Sequence, residues 1–198
     1  YTNLLNALDL AGIAQYSSAR SASDPLIIAG GHACYNPEPV AAFVDAFVIG
    51  EGEEIIHEVI DTHQRCKGQG YSRDQLLLEL SKLQGVYVPS LYQPLYGEDQ
   101  KFLGVQPINQ DVPKIVVKRF LPRLATPPKK PIVPSIDVVH NRVAVEIMRG
   151  CTRGCRFCHA GIINRPVRER PVQERLHAID TALGNTGFEE VALLSLSS

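Results

Sequence analysis

Apolar residues along the chain fall into two patterns, helical spacing and short unbroken runs, and the two alternate. Residues 2–14 place Leu4, Leu8 and Ala11 on one face with Leu5 beside it, the spacing of an amphipathic helix. After Asp24 and Pro25, the run Leu26, Ile27, Ile28, Ala29 ends at Gly30 and Gly31 and reads as a buried strand. Asn36, Pro37, Glu38 and Pro39 open a short helix, with proline tolerated in its first turn. Residues 46–49 form a second buried strand that ends in Gly50, Glu51, Gly52 and Glu53. A helix over about 53–66 follows, with Ile55, Ile56, Val59 and Ile60 on its apolar side, and another over 73–83 turns Leu76, Leu77, Leu80 and Leu83 inward. Strands alternating with helices, with glycine at the strand ends, predict an open parallel sheet. Ligands on such sheets sit beyond the carboxyl ends of the strands. Gly30, Gly31, Gly50, Glu51 and Gly52 are therefore candidate ligand-binding positions, and the plainer reading is that they are tight turns.

The pattern changes in the second half. Residues 85–96 and 114–118 read as extended. Five prolines, Pro122, Pro127, Pro128, Pro131 and Pro134, then mark a linker. The expected organisation is a first α/β domain over 1–111, a Pro-rich linker over 112–136 and a second unit over 137–198. In that unit residues 142–148 predict a strand. Residues 171–183 predict a helix with Val172, Leu176, Ile179 and Leu183 on one face, and 191–196 a second buried strand. Strand, long loop, helix and strand make one right-handed parallel crossover. The fold class is α/β: a partial open parallel sheet, then the first strands of a partial barrel.

Charge sharpens the division. Residues 1–111 hold 6 Lys/Arg against 14 Asp/Glu, whereas 112–175 hold 14 against 4. A basic segment favours thiolate over thiol and attracts anions, or it is simply a solvated linker. With 44% hydrophobic and 21% charged residues the chain is globular. It contains no membrane-length apolar run and no secretory leader. It starts at Tyr1 and stops just after an apolar run, which reads as an internal piece of a longer protein. Of its five cysteines, three fall within eight residues while Cys34 and Cys66 stand alone. Clustered thiols without a secretory signal point to metal binding in a reducing cytoplasm rather than to a disulfide scaffold.

Those three, Cys151, Cys155 and Cys158, are spaced C-x3-C-x2-C within a loop that also carries Gly150 and Gly154. Thiolates are soft ligands suited to iron–sulfur clusters and zinc. On a four-iron cluster, three thiolates leave one iron without a protein ligand, the open position a catalytic metal needs. Structural zinc is the rival, with His159 as fourth ligand, but zinc sites usually pair their ligands at a spacing that has no second pair here.

A C-x3-C-x2-C loop after a first barrel strand, with an aromatic residue, Phe157, before the last cysteine, resembles the radical S-adenosylmethionine superfamily. Residues 27–31, 36–39 and 47–53 resemble the cobalamin-binding domain fused ahead of many such enzymes. The stretches at 85–90, 145–161, 165–170 and 193–198 resemble a subgroup of uncharacterised cobalamin-type radical proteins. The resemblance implies a [4Fe-4S] cluster on Cys151, Cys155 and Cys158, with S-adenosylmethionine chelating the fourth iron and being cleaved reductively to a 5′-deoxyadenosyl radical. It places Phe157 near the adenine. Ser195 and Ser197 stand where many members have a Gly-Gly-Glu run that contacts the methionine amino group. It implies cobalamin as a further cofactor, although the Asp-x-His-x-x-Gly sequence that often supplies histidine to cobalt does not occur here.

The expected function is that of a radical S-adenosylmethionine enzyme acting with a small-molecule cosubstrate and an electron donor such as a flavodoxin or ferredoxin, in the cytoplasm and without a membrane. No residue of the chain is assigned a direct catalytic role. Two rivals stand beside it. One is a methylthiotransferase-like RNA-modifying enzyme that grips nucleic acid through its basic segment. The other is a non-catalytic, metal-stabilised binding module. The run Arg165-Pro-Val-Arg-Glu-Arg170 either contacts an anionic substrate or forms a salt-bridged lid.

Overall fold

A computed structural model describes residues 2–136 and 138–197. The chain divides into two compact units at Phe120 and Leu121.

The first unit opens with α1 (Thr2–Leu10), which buries Leu8. A three-residue 3-10 turn then leads to β1 (Ile28–Ala29). Two further 3-10 turns, His32–Tyr35 and Glu38–Phe43, carry the chain to β2 (Ala46–Val48). Next come α2 (Gly52–Gly68), α3 (Arg73–Ser81) and β3 (Val86–Tyr87). Ser72 caps α3: its hydroxyl accepts from the Gln75 amide while the Gln75 side chain accepts from the Ser72 amide, which satisfies two donors that a helix start leaves open. β4 (Tyr92–Tyr96) and β5 (Phe102–Pro107) follow as an antiparallel hairpin.

The sheet order is β1-β2-β3. β1 runs parallel to β2, as the alternation of strand and helix requires, but β3 is antiparallel to it. The expected all-parallel sheet is therefore mixed. The physical reason is the connection: α2 and α3 form a two-helix excursion, and the tight turn ahead of Val86 returns the chain along β2 in the opposite sense. All three residues of β2 are buried because the pleat sends alternate side chains to opposite faces and both faces are covered. Ala46 and Val48 join Ile55, Val59, Leu77 and Leu80 of the helices on one side. Phe47 joins Val40, Val44, Tyr87 and Tyr92 on the other. β1 departs from expectation: Ile28 is 38% exposed, whereas both residues of β3, the other edge strand, are buried. Residues 114–118, expected to be extended, form no regular strand. Instead Arg119 makes an isolated parallel bridge with Gly50.

The second unit contains β6 (Val143–Glu146), β7 (Met148–Arg149), α4 (Ala160–Ile163), β8 (Arg168–Glu169), α5 (Val172–Thr186) and β9 (Val191–Leu194). β6 and β9 pair in parallel across α5, and β7 and β8 pair antiparallel. α5 ends at Gly187 in a left-handed conformation, the usual helix stop. The core is small: Val143, Val145 and Ala182, with Ala178, Ile179, Leu183 and Phe188 packed around them. Two expectations fail here. Val172 and Leu176 are each 57% exposed, because the helix turns its 178–179 and 182–183 positions to the strands and its first turns project past them. β9 is not buried either, with Leu193 and Leu194 largely exposed, since helix α5 packs on β6 and the small core of this unit takes in no residue of β9. The molecule is thus a mixed α/β protein with small open sheets, and among the described residues no barrel closes. No helix among the described residues is long and apolar enough to cross a membrane.

Candidate metal centre

The cysteine loop leaves the end of β7 at Gly150, whose φ of +93° lies in the left-handed region. A Cβ there would stand 2.8 Å from the Asn164 carbonyl oxygen and 2.9 Å from that of Pro166. Only glycine lets the two backbones approach so closely, and this approach fastens the start of the loop to the 164–167 segment. Gly154 also takes a positive φ, +68°, in open space, and turns the chain between Cys151 and Cys155. The Cys158 amide donates to the Cys155 carbonyl at 3.0 Å, so the last two cysteines sit on a single turn leading into α4.

The three thiols differ in environment. Cys151 is buried, Cys155 exposed and Cys158 half-buried. The Arg153 amide donates to Cys151 Sγ at 3.4 Å, and the Ser197 hydroxyl donates to it as well. These two hydrogen bonds, the amide's the larger, hold the Cys151 thiol below its ordinary pKa. The charges of Arg153 and Arg165 add to the effect, against a smaller opposing contribution from burial. Among the described residues, no three or more His, Cys, Asp or Glu side chains converge closely enough to hold a metal ion. The loop therefore brings the three cysteines into one short segment without gathering their sulfurs. In chemistry the donor set fits an iron–sulfur cluster: three soft ligands, one already biased toward thiolate, on a glycine-hinged loop.

Of the other expected cosubstrate contacts, Ser197 lies beside Cys151, whereas Ser195 is exposed. Phe157 is 92% exposed. The arginines of 165–170 have a role that sequence reading missed. Arg168 and Arg170 are buried, and their guanidiniums donate to backbone carbonyls. Arg168 donates to Leu121 at 2.8 Å and to Pro166 at 3.0 Å. Arg170 donates to Ala125 at 2.8 Å and to Glu146 at 3.0 Å. They brace residues 121–125 against the loop's supports, and Arg170 also pairs with Glu174 at 3.6 Å. Arg168 and Glu169 form β8 and Arg170 follows directly after it; nothing in the spacing of the run tells a buried arginine from a solvated one.

In the first unit, Gly31 has φ +91° with open space where a Cβ would go, and Gly30 meets only the Val48 carbonyl at 3.9 Å. Gly52 opens α2, also in open space. Glu51 lies near enough to Tyr35 for its charge to raise the phenol pKa, after the larger effect of burial. Gly50 differs from these: at φ +117°, a Cβ would lie 2.0 Å from the Arg119 carbonyl oxygen. The Arg119 amide donates to Ile49 at 2.9 Å and the Glu51 amide to Arg119 at 3.0 Å. The Gly50 turn, read from sequence as a cradle for a cofactor tail, thus holds the chain's own backbone, and its residues do not fit a corrinoid.

Comparison with known proteins bears on both units. Over 178 residues, 87% of its length, the chain is 27% identical to the uncharacterized protein MJ0966 of Methanocaldococcus jannaschii, and it spans 32% of that relative. No solved structure matches the chain. Residues 1–89 match the family described as radical SAM proteins, N-terminal, so the likeness to this class of proteins rests on the first unit, independently of the cysteine loop in the second.

Proposed function

We propose that the protein is a radical S-adenosylmethionine enzyme in which Cys151, Cys155 and Cys158 hold a [4Fe-4S] cluster, leaving one iron for S-adenosylmethionine. The observation that carries this reading is the loop itself: three thiols within eight residues, hinged at Gly150 and Gly154, with the Arg153 amide and the Ser197 hydroxyl directed at Cys151 Sγ. The match of residues 1–89 supports it from a separate part of the chain. When bound, the cluster supplies an electron for reductive cleavage of S-adenosylmethionine. The chain's own part is to hold the thiolates. Gly150 fixes where the loop begins, the Arg153 amide stabilises charge on Cys151, and Ser197 ties the end of β9 to the same sulfur. The reading implies an external one-electron donor protein, and free thiols suit a reducing compartment such as the cytoplasm.

Anaerobic reconstitution with iron and sulfide tests the reading. It should load about four irons per chain. Cys151→Ala, Cys155→Ala and Cys158→Ala should each remove most of that iron, and Cys34→Ala should leave it. S-adenosylmethionine should then alter the electron paramagnetic resonance spectrum of the reduced cluster. A fully loaded cluster whose spectrum ignores S-adenosylmethionine would mean a structural or electron-transfer role.

A further inference from the structure

The carboxyl end of β2 is the place where an open α/β sheet ordinarily receives a ligand, and in this chain it is taken. Arg119 lies across Gly50 with its carbonyl oxygen where a side chain would begin. It exchanges backbone hydrogen bonds with Ile49 and Glu51 on either side of that glycine. Gly85, at φ +91°, is shaped by the same visitor: a Cβ there would stand 3.0 Å from the Arg119 amide nitrogen and 3.0 Å from its Cβ. The Gln84 side-chain amide donates to the Lys118 carbonyl at 3.2 Å. The Arg119 guanidinium is clamped to α2, with Nη2 3.0 Å from Glu54 and 2.6 Å from Glu58. Two glycines, two backbone hydrogen bonds and two ion pairs thus converge on Arg119, and a third hydrogen bond holds its neighbour Lys118.

We propose that residues 118–119 are the resident occupant of this strand end and that the unit takes no corrinoid there. Gly50 and Gly85 are glycines because they admit Arg119, and the Gly50-Glu51-Gly52 turn is part of an internal strap. A ligand tail entering beyond β2 would have to displace two backbone hydrogen bonds and a clamped guanidinium. A steric requirement of this kind belongs to the unliganded protein, whereas a cofactor cradle matters only once cofactor is added, and that difference can be measured.

The protein is incubated with hydroxocobalamin and desalted, and cobalt is counted; melting is followed with and without the corrinoid. Wild type should retain close to no cobalt. Gly50→Ala should lower Tm by more than about 5 °C, equally in both conditions. Should Gly50→Ala not fold, the double variant Glu54→Gln/Glu58→Gln releases the clamp without touching the turn. In it the Arg119 and Glu51 amides should exchange hydrogen for deuterium at least about tenfold faster than in wild type. Roughly one cobalt retained per wild-type chain would overturn the proposal. So would a Gly50→Ala protein that melts with wild type, or a double variant with unchanged exchange at both amides. Iron loading is read separately in the same samples, so failure of the cluster and failure of the strap give different signatures.

Discussion

Asp45→Ala should destabilise the protein by about 3–5 kcal/mol, the loss expected when a buried ion pair is deprived of one partner. The Asp45 side chain is 1% exposed. One of its oxygens accepts from Arg20 at 3.0 Å, from Arg73 at 2.9 Å and from the Ile27 amide at 2.7 Å. The Arg20 side chain is fully enclosed, and its remaining donors go to the carbonyls of Ala14, Gln15 and Phe43. Arg73 donates to the carbonyls of Ser21, Asp24 and Pro25. One carboxylate thus neutralises two cations that between them hold residues 14–27, leading into β1, in place. Alanine removes the charge and leaves both guanidiniums among carbonyl dipoles without a counterion. Asn, which keeps an acceptor for the Ile27 amide, should lose less. Urea titration followed by far-ultraviolet circular dichroism measures both, and an Asp45→Ala midpoint equal to wild type would show that the carbonyls alone suffice to solvate the arginines.

Phe47→Ala should cost a similar amount, about 3–5 kcal/mol, through lost burial and a residual cavity. Phe47 is 1% exposed at the middle of the central strand. Its ring lies 6.2 Å from that of Tyr87, which is itself 4.9 Å from Tyr92 and tilted to it by 46°, so a truncated side chain leaves a hole beside this aromatic pair. The Tyr87 hydroxyl donates to Glu38 at 2.5 Å, an anchor that limits how far the ring can slide to fill the gap. Burial, followed by the bond to Glu38, holds this phenol far above its ordinary pKa. Phe47→Leu should recover much of the loss. If Phe47→Ala shifts the urea midpoint no more than Phe47→Leu does, the core on this side of the sheet collapses more readily than its burial suggests.

Local pattern made the long elements legible. The helix expected at 53–66 extends over Gly52–Gly68, and the strand at 46–49 over Ala46–Val48; in the helix Ile55 and Val59 are buried as expected, whereas Ile56 and Ile60 lie exposed beside them. The same rule fails at Ile28, Leu193 and Leu194: an unbroken apolar run does not say whether both faces of a strand are covered, and at these positions one is not. The orientation of β3 depends on how two helices return the chain, which no short window contains. The β4–β5 hairpin is half legible: residues 85–96 read as extended, and the polar turn Gly97-Glu-Asp-Gln-Lys101 before Phe102 is the kind of segment that joins hairpin strands. Arg20, Asp45 and Arg73 lie 25 and 28 positions apart, so nothing in their spacing announces a buried network. At the cysteine loop, spacing named the donors and the glycines, but the Ser197 contact and the approach of Arg119 to Gly50 are meetings between distant segments, which only the folded chain shows.

The unequal burial of the five cysteines has a practical consequence. Cys34 and Cys66 are enclosed, Cys66 completely, while Cys155 is open and Cys158 half-open. A sulfhydryl-directed probe added to the native protein will therefore mark the loop first, and Cys66 will become addressable only when α2 comes away from its core. One unmodified sequence thus carries two independent reporters, one for occupancy of the loop and one for global opening, and a fluorescent maleimide followed by peptide mapping reads both in a single experiment.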